Sequence, residues 1–226
     1  ADPLPPTAVP SRPDVFVAGR QFPVPTIDFS SMSSNLAQLK SDAQAAGRYL
    51  SSSGFLGYRI VLKQNDTYDL YAVKTLVPAT GWCTNWQNQP GWGSWSISTA
   101  ANAQTLLGSY ALPANCIIFA EDNLWVEGQI QTARLTIASA KFPENPSTYT
   151  SITVNSNLRY TTYDGNDVLA LIAQNNFNLG LVSADNLSID AALVAKNGRI
   201  GRYYYSSDCG AWYVRSAVTL TGMLAS

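Results

Sequence analysis

Three carboxylates, Glu121, Asp122 and Glu127, crowd one short stretch of the chain. Paired carboxylates, one protonated and one ionised, are the equipment of glycoside hydrolysis. A polysaccharide lyase or glycosidase is therefore the enzymatic reading of these residues. A repeat argues the other way. Ile118-Phe119-Ala120-Glu121-Asp122-Asn123 recurs as Leu171-Ile172-Ala173-Gln174-Asn175-Asn176 and as Leu193-Val194-Ala195-Lys196-Asn197-Gly198. Where the first copy has Glu121 and Asp122, the others have Gln174/Asn175 and Lys196/Asn197. Exchange among acid, amide and amine predicts a solvent-facing turn, so no catalytic residue is assigned. Asp164-Gly165-Asn166-Asp167 offers oxygens to a cation but lacks the rest of a calcium loop, and it reads as a turn.

Two aromatic clusters carry the binding chemistry. Trp82, Trp86, Trp92 and Trp95 are interleaved with Asn85, Gln87, Asn88 and Gln89. Exposed aromatic faces beside amides grip sugars or protein partners. Arg202, Tyr203, Tyr204 and Tyr205, with Arg199, Trp212, Tyr213 and Arg215, form the second cluster, where guanidinium and ring stack. Each cluster has a structural alternative, a miniature core under a loop and edge-strand packing respectively. The three cysteines are Cys83, Cys116 and Cys209. Cys83 and Cys209 sit in these two aromatic loops and are the expected disulfide pair, with three free thiols as the alternative. A bridge implies an oxidising, extracytoplasmic setting.

Composition removes several classes of function. The 226 residues contain no histidine, the commonest general acid/base and metal ligand. Charged residues make up 13% and the net charge is −1, with no Lys/Arg run, so bulk electrostatic binding of nucleic acid is not indicated. No apolar run reaches the roughly 20 residues of a membrane span, and no signal peptide is visible. No cofactor or metal is expected.

The elements that position these residues are mostly strands. Residues 1–13 hold five prolines and read as an extended linker or arm. An N-terminal α/β region over 14–113 follows. It contains extended segments at 14–19 and 22–29, one helix over 33–50 and a hairpin over 57–73. The helix presents Leu36, Leu39, Ala43, Ala46 and Leu50 as a stripe. Its last part is a Trp-rich loop over 80–96. Short strands separated by Asn/Gly/Asp turns occupy 114–226. Leu171 and Leu193 lie 22 residues apart. That period predicts a mainly β fold, a right-handed parallel β-solenoid (β-helix) with inserted loops. A β-sandwich is the alternative. Asn123, Asn176 and Asn197 are placed to form a side-chain ladder along the stack.

The run Ala114-Asn115-Cys116-Ile117-Ile118-Phe119-Ala120-Glu121-Asp122-Asn123-Leu124-Trp125-Val126-Glu127-Gly128-Gln129-Ile130 resembles a segment of bacterial type IV pilus-associated proteins, of the minor-pilin or pilus-assembly type. So do Ser151-Ile152-Thr153-Val154-Asn155, Leu158-Arg159-Tyr160, Asp164-Gly165, Asp167-Val168, Leu171–Asn175, Ile189–Ala195 and Asn197–Arg202. The resemblance covers most of 114–226 and is loose before that. The family's hydrophobic N-terminal helix has no counterpart in these residues, which fits a trimmed chain or a different user of the same scaffold. The resemblance implies a non-enzymatic, extracellular, structural or adhesive ectodomain of a pilus-like fibre on a bacterial surface. Its partners would be other pilus subunits or a host or surface ligand (glycan, protein or DNA), with no membrane contact. A phage-fibre or cell-wall carbohydrate-binding module is the non-pilus alternative.

Overall fold

A computed structural model of the chain describes residues 32–79 and 83–226. The expected arm at 1–13, the extended segments at 14–19 and 22–29, and Trp82 lie outside the described residues. Helix α1 (Met32–Ala45) buries Leu36 and Ala43 against Phe119, Ala138 and Ala140, with Leu39 alongside. The helix stops at Ala45, not at Leu50 as expected. Gly47 is the cause. A Cβ there would stand 2.6 Å from the Ile117 carbonyl oxygen and 2.8 Å from both Ala43 Cα and Asn115 Oδ1. Backbone passes so close that only glycine fits. The chain then extends as β1 (Arg48–Leu50).

The rest is mainly β, dominated by one large 14-stranded sheet that is mostly parallel. One series of parallel neighbours runs β1, β5 (Ile117–Ala120), β7 (Arg134–Ser139), β10 (Val168–Ala173), β12 (Asn186–Ala195), β14 (Ala217–Ala225). A second runs β2 (Gly57–Leu62), β6 (Leu124–Ile130), β8 (Ile152–Thr153), β11 (Phe177–Leu179), β13 (Ile200–Arg202). The end of β6 also pairs with β9 (Leu158–Tyr160), and β9 pairs with the start of β12. Among the described strands β3 (Thr67–Val73) and β4 (Gln104–Ala111) pair antiparallel, folded back from β2 as the expected hairpin and one strand more. A β-sandwich, built from antiparallel sheets, does not have this pairing. Because β1 and β2 pair directly with β5 and β6, the sheet crosses the expected boundary at 113/114, and Met32–Ser226 form one compact unit. No helix among the described residues is long and apolar enough to cross a membrane.

Register explains the repeated sequence. Ile118, Ile137, Leu171 and Leu193 are consecutive partners, all buried. Ala120, Ser139, Ala173 and Ala195 form the neighbouring column. The copy at Ile137-Ala138-Ser139-Ala140 escapes notice in the sequence because serine replaces the second-column alanine. That buried hydroxyl is satisfied, donating to the Asp122 carbonyl at 2.8 Å and accepting from the Thr150 hydroxyl at 2.7 Å. Each buried aliphatic side chain contributes about 1.5–3 kcal/mol. Among the described residues β14 has a strand partner on one side, and Leu224, next in the first column, is 58% exposed against 2% for Leu193.

Two expectations about the turns are corrected. The Glu121/Gln174/Lys196 position is not solvent-facing, since Gln174 is 0% exposed and the Glu121 and Lys196 side chains are largely covered. Each copy satisfies its own polar group. Glu121 accepts from Lys40, Gln174 brackets the Lys141 backbone at 2.8 and 3.1 Å, and Lys196 pairs with Glu144. The asparagines do not form a ladder with one another. Asn123 Oδ1 accepts from the Ser151 N–H and Asn176 Oδ1 from the Arg199 N–H, while Asn197 donates to the Gln174 carbonyl. Ser151 stands between Asn123 and Asn176, and Arg199 follows Asn176, so each of these amides meets a peptide and not a second amide.

Candidate functional site

The site is built where two long loops meet. Segment 83–96 precedes β4, and segment 203–216 joins β13 to β14. Cys83 and Cys209 are disulfide-bonded across a sequence separation of 126, with Cα atoms 4.5 Å apart. Cys116 is a free thiol. The bridge is compatible with a secreted or extracellular protein.

Hydrogen bonds continue the clasp. Gln89 Nε2 donates to the Tyr204 carbonyl at 3.2 Å while Gln89 Oε1 accepts from the Tyr204 N–H at 2.9 Å. Trp92 Nε1 donates to the same carbonyl, Tyr203 Oη to the Pro90 carbonyl and Tyr205 Oη to the Gly93 carbonyl. Trp95 Nε1 donates to the Gly91 carbonyl and packs its ring 6.4 Å from Trp125. Arg202 stacks on Tyr205 at 4.5 Å and donates to the carbonyls of Leu181, Trp212 and Tyr213 at 3.0, 2.6 and 2.9 Å. Burial pushes the Tyr205 phenol far above its ordinary pKa and lowers that of Arg202.

The expected binding residues therefore divide. Trp92, Trp95, Tyr203, Tyr205 and Arg202 are spent on a small core around Cys83, Cys209 and Leu181, and Trp82 lies outside the described residues. Trp86 and Tyr204 remain open, at 59% and 52% exposure, with ring centroids 6.2 Å apart and edge to face. Beside Tyr204 is a hollow of about 370 Å³, walled by Tyr213 and Val214 as well. Tyr213, Val214 and Trp212 are also exposed and enlarge the apolar surface. Val214 carries no aromatic signal, so only its place in the fold reveals it.

The three carboxylates are scattered among separate partners. Glu121 accepts from Lys40 at 2.6 Å and Tyr49 at 2.5 Å. Burial pushes its pKa up, but these hydrogen bonds outweigh burial and hold it below its ordinary value. Tyr49 is pushed up to about 12, by burial first and then by Glu121. Asp122 accepts from the Ser53 N–H and hydroxyl at 2.8 and 2.7 Å. Glu127 takes the Arg59 guanidinium through Nε at 2.8 Å and through Nη2. Asp164 and Asp167 organise their own turn, Asp167 accepting from the Thr161 and Thr162 N–H groups at 2.8 Å each.

Comparison with protein-family models, with curated proteins and with solved structures finds no match to this chain.

Proposed function

We propose that this chain is a non-enzymatic structural and adhesive ectodomain, a right-handed parallel β-solenoid that binds a surface glycan through its disulfide-clasped aromatic face. The observation that carries the reading is the Trp86–Tyr204 pair, two exposed rings 6.2 Å apart on loops joined by the Cys83–Cys209 bridge. Exposed rings present faces on which the C–H side of a sugar stacks, and the clasp removes the entropic cost of ordering them. A glycan is favoured over DNA because Arg202, the expected cation of this face, is spent on backbone carbonyls. Support for the solenoid comes from the parallel columns, in which strands return repeatedly to the same neighbours in register. Support for a non-enzymatic role comes from the engagement of Glu121, Asp122 and Glu127 by separate internal partners.

Location on a bacterial pilus-like fibre, beside other pilus subunits, rests on the sequence resemblance of 114–226. The test has two arms. Glycan-array binding should be saturable and fall at least tenfold in Trp86→Ala and Tyr204→Ala. Turnover of a polysaccharide, abolished by Glu127→Gln, would overturn the adhesive reading. Antibodies to the chain should label sheared surface fibres of the source cells. Label confined to the cell body would overturn the pilus location, leaving a cell-wall carbohydrate-binding module.

A further inference from the structure

A hollow of about 550 Å³ lies against the clasp, where segment 83–96 meets two turns of the parallel stack. Gln89 and Gly91 come from the segment, Asn175 and Asn176 from the turn after β10, and Asn197 and Arg199 from the turn after β12. Two glycines permit this meeting. A Cβ on Gly198 would stand 2.4 Å from Asn176 Oδ1 and 2.8 Å from the Asn175 carbonyl oxygen, so glycine lets the two turns nest. Gly91 has φ +74°, and a Cβ there would stand 2.8 Å from Tyr203 Oη. The repeat that builds the columns thus sets its polar turn residues around an opening.

Arg199 is the charged side chain of the lining, which holds no carboxylate. Its guanidinium lies 3.8 Å from the centre of the Tyr203 ring. Tyr203 is buried and donates to the Pro90 carbonyl, so the cation rests on a fixed plane. No carboxylate or carbonyl accepts from the Arg199 side chain among the described residues. The other arginines of the clasp differ, since Arg202 is spent on carbonyls and Arg215 faces Asp185 at 3.8 Å. Nη2 of Arg199 is covered by the protein, which leaves Nε and Nη1 for a ligand. Amides add further donors. Asn176 accepts from the Arg199 N–H through Oδ1 at 3.0 Å and keeps its Nδ2 hydrogens. Asn175 makes no side-chain hydrogen bond among the described residues. Both asparagines are partly exposed. Asn197 donates to the Gln174 carbonyl and keeps Oδ1 as an acceptor.

Charge and size narrow the ligand. A guanidinium flanked by amide N–H groups, with no acid beside it, favours an anion over a neutral molecule. With Nη2 covered, Arg199 offers single N–H groups and not its full fork, which suits one carboxylate with an asparagine on its second oxygen. Asn197 Oδ1 and the remaining amide hydrogens suit hydroxyls. One cation in a chain of net charge −1 is too little for a nucleic acid, whose affinity comes from many phosphate contacts. The volume falls within the roughly 300–1,000 Å³ of small-molecule sites and admits a sugar ring with its carboxyl group. Gln89, a wall of the hollow, also holds both backbone groups of Tyr204, so the hollow adjoins the Trp86–Tyr204 face.

We infer that this hollow binds the carboxylate of an acidic sugar, a uronate or sialate unit, through Arg199 and the Asn175 and Asn176 amides. The sugar class of the ligand rests on the glycan reading of the adjoining face. The test is calorimetric titration of the disulfide-intact chain with the methyl glycosides of glucuronate, galacturonate and N-acetylneuraminate. The methyl ester of each serves as its neutral match, and acetate and a single-stranded oligonucleotide complete the set. At least one acidic glycoside should bind saturably, with its ester and acetate each at least tenfold weaker, the worth of a hydrogen bond to a charged group. Arg199→Gln and Asn175→Asp should each weaken the acidic glycoside at least tenfold, the first by removing the cation and the second by adding a like charge. Asn175→Asp, on a partly exposed turn, carries the test if Arg199→Gln does not fold. The inference is overturned if no acidic glycoside binds, if the ester or acetate binds as tightly, if the oligonucleotide binds more tightly, or if the folded variants bind like the native chain. Array binding that still falls in Trp86→Ala would then preserve the aromatic-face reading. Acidic glycoside binding without that fall would overturn the aromatic face alone.

Discussion

Glu121 shows how a side chain with catalytic potential becomes structural. Its carboxylate is held between Lys40 on α1 and Tyr49 on β1, two residues far from it in sequence. With its folded pKa below the unfolded value of about 4.5, its stabilising contribution is present above that pH. It is lost as pH falls through the folded value. Denaturant titrations between pH 7 and 3 should show this loss in the native chain and a flatter profile in Glu121→Gln. That variant should also cost about 1.5–3 kcal/mol at neutral pH, the worth of hydrogen bonds to a charged group. Tyr49 has the opposite sign. Its folded pKa of about 12 exceeds the ordinary tyrosine value of 10.0, so its contribution is complete below pH 10 and lost as pH rises through 12. The Glu/Gln/Lys variation at this repeated position suggested exposure. Each residue instead found its own partner, which lies in another part of the chain and leaves no mark beside it.

At the scale of elements, register decides what a side chain is worth. Leu193 and Leu224 are direct partners in β12 and β14, with the same chemistry on either side of one ladder. Leu193 is covered by β10 as well, whereas among the described residues no further strand pairs with β14. Leu193→Ala should therefore destabilise by about 2–5 kcal/mol, the range for core leucines. Leu224→Ala should cost about 0.5 kcal/mol or less, as surface changes do. Equal losses in urea unfolding would show that β14 is covered in solution. The copies at Leu171 and Leu193 were legible because both keep the apolar pair and the alanine. The copy at Ile137 was not, because serine in the inward column needs a hydroxyl acceptor that only folding supplies. The helix end was misjudged for a related reason. Gly47 reads as a weak last turn, but its strict requirement arises from the Ile117 carbonyl, distant in sequence.

Across the whole molecule, the Cys83–Cys209 bridge ties the loop before β4 to the loop after β13. Closing so long a loop restrains the unfolded chain, and removing it should cost about 2–5 kcal/mol. The Cys83→Ser/Cys209→Ser chain should keep its far-ultraviolet circular dichroism, since the parallel columns do not depend on the bridge. It should lose binding at the Trp86–Tyr204 face at least as strongly as stability, because those rings sit on the clasped loops. Full retention of glycan binding after reduction would show that the hydrogen bonds of Gln89, Tyr203 and Tyr205 suffice alone.

The sequence by itself determined the mainly β class and the visible repeats, and it singled out Cys83 and Cys209 as the expected pair with free thiols as the alternative; the structure supplied the bond. Apolar periodicity and loop composition are local properties that any reader of the chain can see. Tertiary structure alone decided which aromatic residues stay open. Trp86 and Trp92 have the same chemistry, yet Trp92 turns inward to the Tyr204 carbonyl while Trp86 stands free beside the Tyr204 ring. It also gathered Gln89, Asn176 and Arg199 around one hollow. Exposure and juxtaposition depend on which distant segment covers a residue, and that information is carried by the packed chain as a whole.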